Sequence, residues 1–132
     1  MVTIQDYIDK FMFIAVVPAY MEEKKIGSVA RSLFKLVDKV VVVDDGSSDN
    51  TAKNAEAAGA IVLRHKINRG QGASLQTGDD YALRLSADYV LHFDGDGQFE
   101  VNDVAPALAK LKMANADILF GSRFLGTESN AP

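Results

Sequence analysis

Residues 39–46, KVVVVDDG, constrain the fold more than any other stretch, because four successive valines run into two aspartates and a glycine. Valine is β-branched and stiff at χ1, so such a run favours extended backbone. The absence of polar alternation requires that both faces of the strand be buried, which is the condition of a strand in a parallel sheet clad by helices. Asp44 and Asp45 then stand at the carboxyl end of that strand, the edge at which open α/β sheets bind ligands.

The rest of the chain repeats this unit. The run FMFIAVV over residues 11–17 also lacks alternation and reads as a buried strand closed by Pro18. Ile26, Val29, Ala30, Leu33, Phe34 and Val37 recur at helical spacing and form one apolar stripe. After the valine strand, Ser48 or Asp49 is placed to cap an alanine-rich helix over residues 51–58 that closes at Gly59. A third short strand follows at 60–63. Gly70 and Gly72 then open a helix on which Leu75, Gly78, Ala82 and Leu85 share a face. A strand over 89–93, a helix led by Asn102 or Asp103 with Pro106 in its first turn, and a last strand over 117–120 complete the series. Strands alternating with helices of this size predict an α/β fold, three layers α/β/α around a mostly parallel sheet. Residues 1–132 make one domain, with 1–10 as a lead-in and 126–132 as a tail.

Composition narrows the function. At 132 residues, 48% of them apolar, the chain has the size and core content of one ordinary domain. Fourteen basic against eighteen acidic residues leave a net charge of -4 with no basic stripe, which argues against a nucleic-acid partner. The chain has no cysteine, so disulfides, thiolate zinc sites and cysteine nucleophiles are excluded. The apolar run at 11–17 is too short to cross a bilayer, and nothing reads as a signal peptide. A cytoplasmic location is the simplest expectation.

Chemistry concentrates at the strand ends. Asp94, Asp96 and Gln98 follow the strand at 89–93 and offer hard oxygen donors suited to magnesium or manganese, although an Asp-Gly turn explains the same residues. An EF-hand loop counted from Asp94 fails, since its sixth position is Phe99 and its twelfth Ala105. Asp45 reads either as an Asx turn into Gly46 or as an acceptor for ribose hydroxyls or a base N–H. A phosphoacceptor receiver domain is excluded because its third strand would have to end in aspartate, and this one ends Val62-Leu63-Arg64. The turn Gly70-Gln71-Gly72 suits either a helix start needing positive φ or a backbone approach to phosphate. It is not a dinucleotide fingerprint, because Leu75 takes the third glycine's place. Arg123 stands after the last strand, as a surface arginine or a bidentate partner for a diphosphate. His65 and His92 read as structural residues.

Taken in order, five segments resemble the inverting glycosyltransferases of family 2 and their GT-A nucleotide-sugar fold: VVPAYMEE, VVVVDDGSSDNT, NRGQGASLQTG, HFDGDGQ and GSRFLG. The likeness covers residues 13–126 and is nearest to the dolichyl-phosphate mannosyltransferase type and its bacterial polyprenyl-phosphate and polysaccharide relatives. It implies that Pro18, Ala19, Tyr20 and Glu22 line a pocket for a UDP- or GDP-sugar and that Asp45, beside Asp44, binds base or ribose. It implies that Asp94, Asp96 and Gln98 hold Mn2+ or Mg2+ against the diphosphate, and that Arg123 helps neutralise the leaving nucleotide. The implied acceptor is a polyprenyl phosphate, a glycan or another hydroxyl, met at the cytoplasmic face of a membrane. Met21 departs from the family, which usually has Asn there. The family's acceptor half and its carboxylate general base have no counterpart, so the expectation is a truncated donor-binding part, poorly active alone. The open sheet edge so left would favour a homodimer. A non-catalytic nucleotide-sugar-binding module is the alternative.

Overall fold

The computed structural model describes residues 11–93 together with residues 3 and 106. Within residues 11–93, four strands alternate with three helices: β1 (Phe13–Ala19), α1 (Ile26–Leu33), β2 (Lys39–Asp44), α2 (Thr51–Ala57), β3 (Ile61–Arg64), α3 (Gln71–Arg84) and β4 (Tyr89–His92). Every strand pair is parallel and the order is β3-β2-β1-β4. The lead-in, Asp94, Asp96, Gln98, the helix expected after Asn102, the strand at 117–120, Arg123 and the tail lie outside the described residues, except that Pro106 is helical.

All seven residues of β1 and five of the six in β2 are buried, as the unalternating sequences require. One face of the sheet packs Phe13, Ala15, Val17, Val40 and Val42 against Ile26, Val29, Ala30 and Leu33 of α1 and Ala55 of α2. The other packs Ile14, Val16, Val41 and Val43 against Ala82, Leu75 and Leu85 at the inner side of α3. Handedness explains this division. The chain moves outward from β1 through β2 to β3 and then crosses back to β4, so right-handed crossovers must place α3 on the face opposite α1 and α2. The reversal makes a topological switch point between β1 and β4, where open α/β sheets have their ligand crevice.

Two local expectations differ from the structure. Pro18 does not close β1, which continues to Ala19 with Pro18 opposite Val43. Alternate residues of β1 face alternate neighbours: Val16 accepts from the Phe93 N–H on the β4 side, and Ala19 accepts from Asp45 N–H on the β2 side. Pro18 shares the orientation of Val16, so its missing N–H is directed toward β4 and the ladder to β2 is intact. β3 is displaced by one residue, to Ile61–Arg64, because Ala60 N–H is taken up by Ala55 O at the end of α2. The cap position of α2 is Asn50, yet its side chain does not cap. The Asp49 carboxylate does so, accepting Thr51 N–H at 2.9 Å and the Thr51 hydroxyl in a shorter bond. Phe34 ends α1 and is 37% exposed, its ring against Gly59. No helix among the described residues is long and apolar enough to cross a membrane.

Candidate functional site

The carboxyl ends of β1, β2 and β3 gather the residues of interest. Pro18 and Ala19 are buried inside β1, Glu22 is half-buried, and Tyr20 is 51% exposed, so the aromatic ring is the main surface this segment offers. The segment is fastened to the start of α2. Met21 N–H donates to Ser47 Oγ at 2.8 Å, Glu22 N–H to Thr51 Oγ1 at 2.9 Å, and Asn50 N–H to Glu23 Oε2 at 2.9 Å. The Asn54 side chain completes the junction by donating to Glu23 O. The first two strand-end loops are therefore joined by four hydrogen bonds. The Thr51 and Glu23 bonds also hold the Asp49 carboxyl below its ordinary value, with the Thr51 hydroxyl the largest cause.

The two aspartates at the end of β2 have separate tasks. Asp44 has no exposed surface; its Oδ1 accepts Ser47 N–H at 3.1 Å and its Oδ2 lies 3.2 Å from Nε of the exposed Arg64. It shapes the turn. Asp45 is 5% exposed and reaches across the sheet edge. Its Oδ1 takes hydrogen bonds from His65 Nδ1 and Arg69 N–H, and its Oδ2 takes one from Gly70 N–H, all at 2.8 Å. Burial works to raise the Asp45 pKa, but these bonds and the His65 ring outweigh it and hold the carboxyl below 3.8. Asp45 and Gly70, separate in sequence, are thus brought into direct contact.

Gly46 makes that approach sterically feasible. It has a φ of 83°, and a Cβ there would stand 2.8 Å from Asn68 N. Gly70, at φ 96°, caps the N-terminus of α3, and Gly72 lies in its first turn, exposed and with open space around it. His65, read from sequence as structural, is part of the same cluster. Its Nε2 lies 2.9 Å from Thr77 Oγ1 on α3, and the residue helps line an open cleft of about 270 Å³ with Gly46, Ser47, Arg64 and Lys66. Its position one residue beyond β3, on the edge that carries Asp45, was the signal available in the sequence.

β4 brings the chain to the same edge. Phe93 N–H bonds to Val16 O at 3.0 Å, and Asp94 is the next residue. Asp94, Asp96, Gln98 and Arg123 themselves lie outside the described residues. Among the described residues no group of three or more histidine or acidic side chains could hold a metal ion. As residue types, two carboxylates and an amide offer the hard oxygen donors that Mg2+ or Mn2+ favours.

The chain is similar to known proteins in both sequence and fold. The chain is 41% identical over 119 residues to an uncharacterised protein of Methanocaldococcus jannaschii, covering 89% of this chain and 49% of that one. It is 32% identical over 133 residues to the UDP-N-acetylglucosamine–dolichyl-phosphate N-acetylglucosaminyltransferase of Methanococcus voltae, covering 87% and 53%. Among solved structures it is similar to glucosyl-3-phosphoglycerate synthase of Mycobacterium tuberculosis in complex with Mn2+, UDP and glucosyl-3-phosphoglycerate. There the TM-score is 0.67 at 27% identity, over 88% of this chain and 45% of that one. The chain spans about half the length of the curated relatives it matches. Residues 14–131 match the profile of glycosyl transferase family 2, and the chain belongs to that family.

Proposed function

We propose that this chain carries the donor site of an inverting glycosyltransferase that uses a nucleoside diphosphate sugar and a divalent metal. The observation that supports this best is the strand order: the switch point between β1 and β4 lies where β1 leads to Tyr20 and β4 leads to Asp94. The diphosphate would lie against Asp94, Asp96, Gln98 and Arg123, with the N–H at Gly72 in the first turn of α3, the Gly70 N–H being already given to Asp45. Mn2+ or Mg2+ held by those acidic residues would offset the diphosphate's charge, which carboxylates alone would repel.

Asp45, not the fully buried Asp44, is the carboxylate for the base. A carboxylate has roughly four acceptor positions, and His65, Arg69 and Gly70 take three of them at Asp45. One remaining position suits the single imide N–H of uracil better than the paired N–H groups of guanine, so UDP is the preferred nucleotide. The naming of relatives for dolichyl phosphate favours a lipid phosphate acceptor met at the cytoplasmic face of a membrane, with the general base supplied by residues beyond this donor site.

The test is a thermal shift of the purified chain with UDP or GDP, each with Mn2+, with Mg2+ or with chelator. A ligand at a hundredfold its Kd should add about 2.7 kcal/mol. We expect UDP with metal to raise Tm, and Asp96→Ala to remove the shift. A chain indifferent to every nucleoside diphosphate with metal present would refute the donor-site reading.

A further inference from the structure

We propose that His65 is a positioning residue of the donor site, aiming the one open acceptor position of Asp45 at the nucleobase by clamping its carboxylate to α3. The inference rests on the donor-site reading of Asp45. An ionised carboxylate only accepts, so the hydrogen between His65 and Asp45 is carried by Nδ1, and Nε2 faces the Thr77 hydroxyl. Thr77 Oγ1 is also 3.0 Å from Ala73 O, one turn earlier on α3. The imidazole is thus fixed at both nitrogens, on β2 at one end and on α3 at the other.

Its backbone is fixed as well, because His65 N–H donates to Asp44 O at 2.9 Å and continues the β2 to β3 ladder. A ring held at both nitrogens on a backbone that is itself fixed has little freedom to tilt, and it transmits that rigidity to the group it holds. The two remaining partners of Asp45, Arg69 N–H and Gly70 N–H, belong to the loop that leaves His65 and returns at the start of α3. They bind different oxygens, so without the imidazole the carboxylate would pivot with that loop. The ring supplies what the loop cannot: a reference to the sheet and to the helix at once. A side chain that acts this way touches no donor atom, and its removal should be felt as lost affinity instead of lost fold.

The experiment measures UDP affinity calorimetrically, with Mn2+ present, for the unaltered chain and for Asp45→Asn, His65→Phe, His65→Asn and His65→Gln, alongside thermal unfolding of each. Loss of a charge-assisted hydrogen bond of this kind should weaken binding roughly tenfold to a hundredfold, and that is expected for His65→Phe. His65→Asn places an amide N–H where Nδ1–H stood and should recover most of the affinity. His65→Gln reaches the Thr77 side instead and should not. If His65→Phe fails to fold, the contrast between Asn and Gln decides. Equal affinity for all the His65 variants while Asp45→Asn is weakened would overturn the proposal and spare the donor site. So would affinities that merely follow Tm, with no distinction between Asn and Gln. No UDP binding by the unaltered chain would overturn both.

Discussion

Met21 shows how one residue can carry strain that its sequence context discloses only in part. Its φ is 56°, in the left-handed region, where a side chain other than Gly, Asn or Asp costs about 1–2 kcal/mol. The conformation persists because its N–H is held by Ser47 Oγ and its sulfur lies 3.5 Å from Ser48 Oγ. Asn, the usual residue of the family here, tolerates that backbone. Met21→Asn should therefore stabilise the chain by about 1 kcal/mol, visible as a rise in Tm of roughly 4 °C, and an unchanged or lower Tm would contradict the strain. The departure at Met21 was legible in the sequence; its consequence was not, since it depends on a loop docked against residues 26 positions away. Asp45 is similar. Its place at the sheet edge follows from strand polarity, but its partners lie 20, 24 and 25 positions along the chain and exist only because β2 and β3 pair.

At the level of elements, α3 carries two glycines with opposite roles. A Cβ at Gly78 would stand 2.2 Å from Val16 Cγ1, so the helix rests on β1 at a distance only glycine allows. Gly78→Ala gains about 1 kcal/mol of helix propensity but overpacks the sheet interface at a cost of about 1–3 kcal/mol. The net effect should be a loss of up to about 2 kcal/mol, measured by denaturant unfolding. Gly72→Ala meets open space and should show the reverse sign, a gain of up to about 1 kcal/mol. The apolar stripe of α3 was legible because a 3.6-residue period survives without knowledge of the partner. The Asp49 cap was one of the two candidates legible there, whereas the one-residue displacement of β3 was not, because element ends are set by competing hydrogen bonds and not by periodicity.

For the molecule as a whole, alternation of strand and helix signals was sufficient for a parallel α/β sheet, while the order β3-β2-β1-β4 needed the structure. Periodicity says which faces are buried and nothing about which strand lies beside which. The Asp45 network also links the cluster to global stability. A carboxyl held below 3.8 when folded stabilises the fold above that pH, and the contribution is lost as pH falls through the lower folded value. Asp45→Asn should be less stable than the unaltered chain at neutral pH, by about 1–3 kcal/mol. The gap should narrow as the pH is taken from about 5 to about 2, and a constant gap in pH-dependent unfolding would show that the charge of Asp45 is not what matters.

Pro18, with its absent N–H turned toward β4, has an effect beyond its own strand. The seam between β1 and β2 zips on to the rung formed by Asp45 N–H and Ala19 O, whereas on the other side the proline withholds the rung that would follow Phe93 N–H and Val16 O. A zipper with a tooth missing parts at a fixed place whatever pulls on it. The place where the two strands stop pairing is in that sense written into the covalent chain: an ordinary residue at position 18 would hold out an N–H for one rung more.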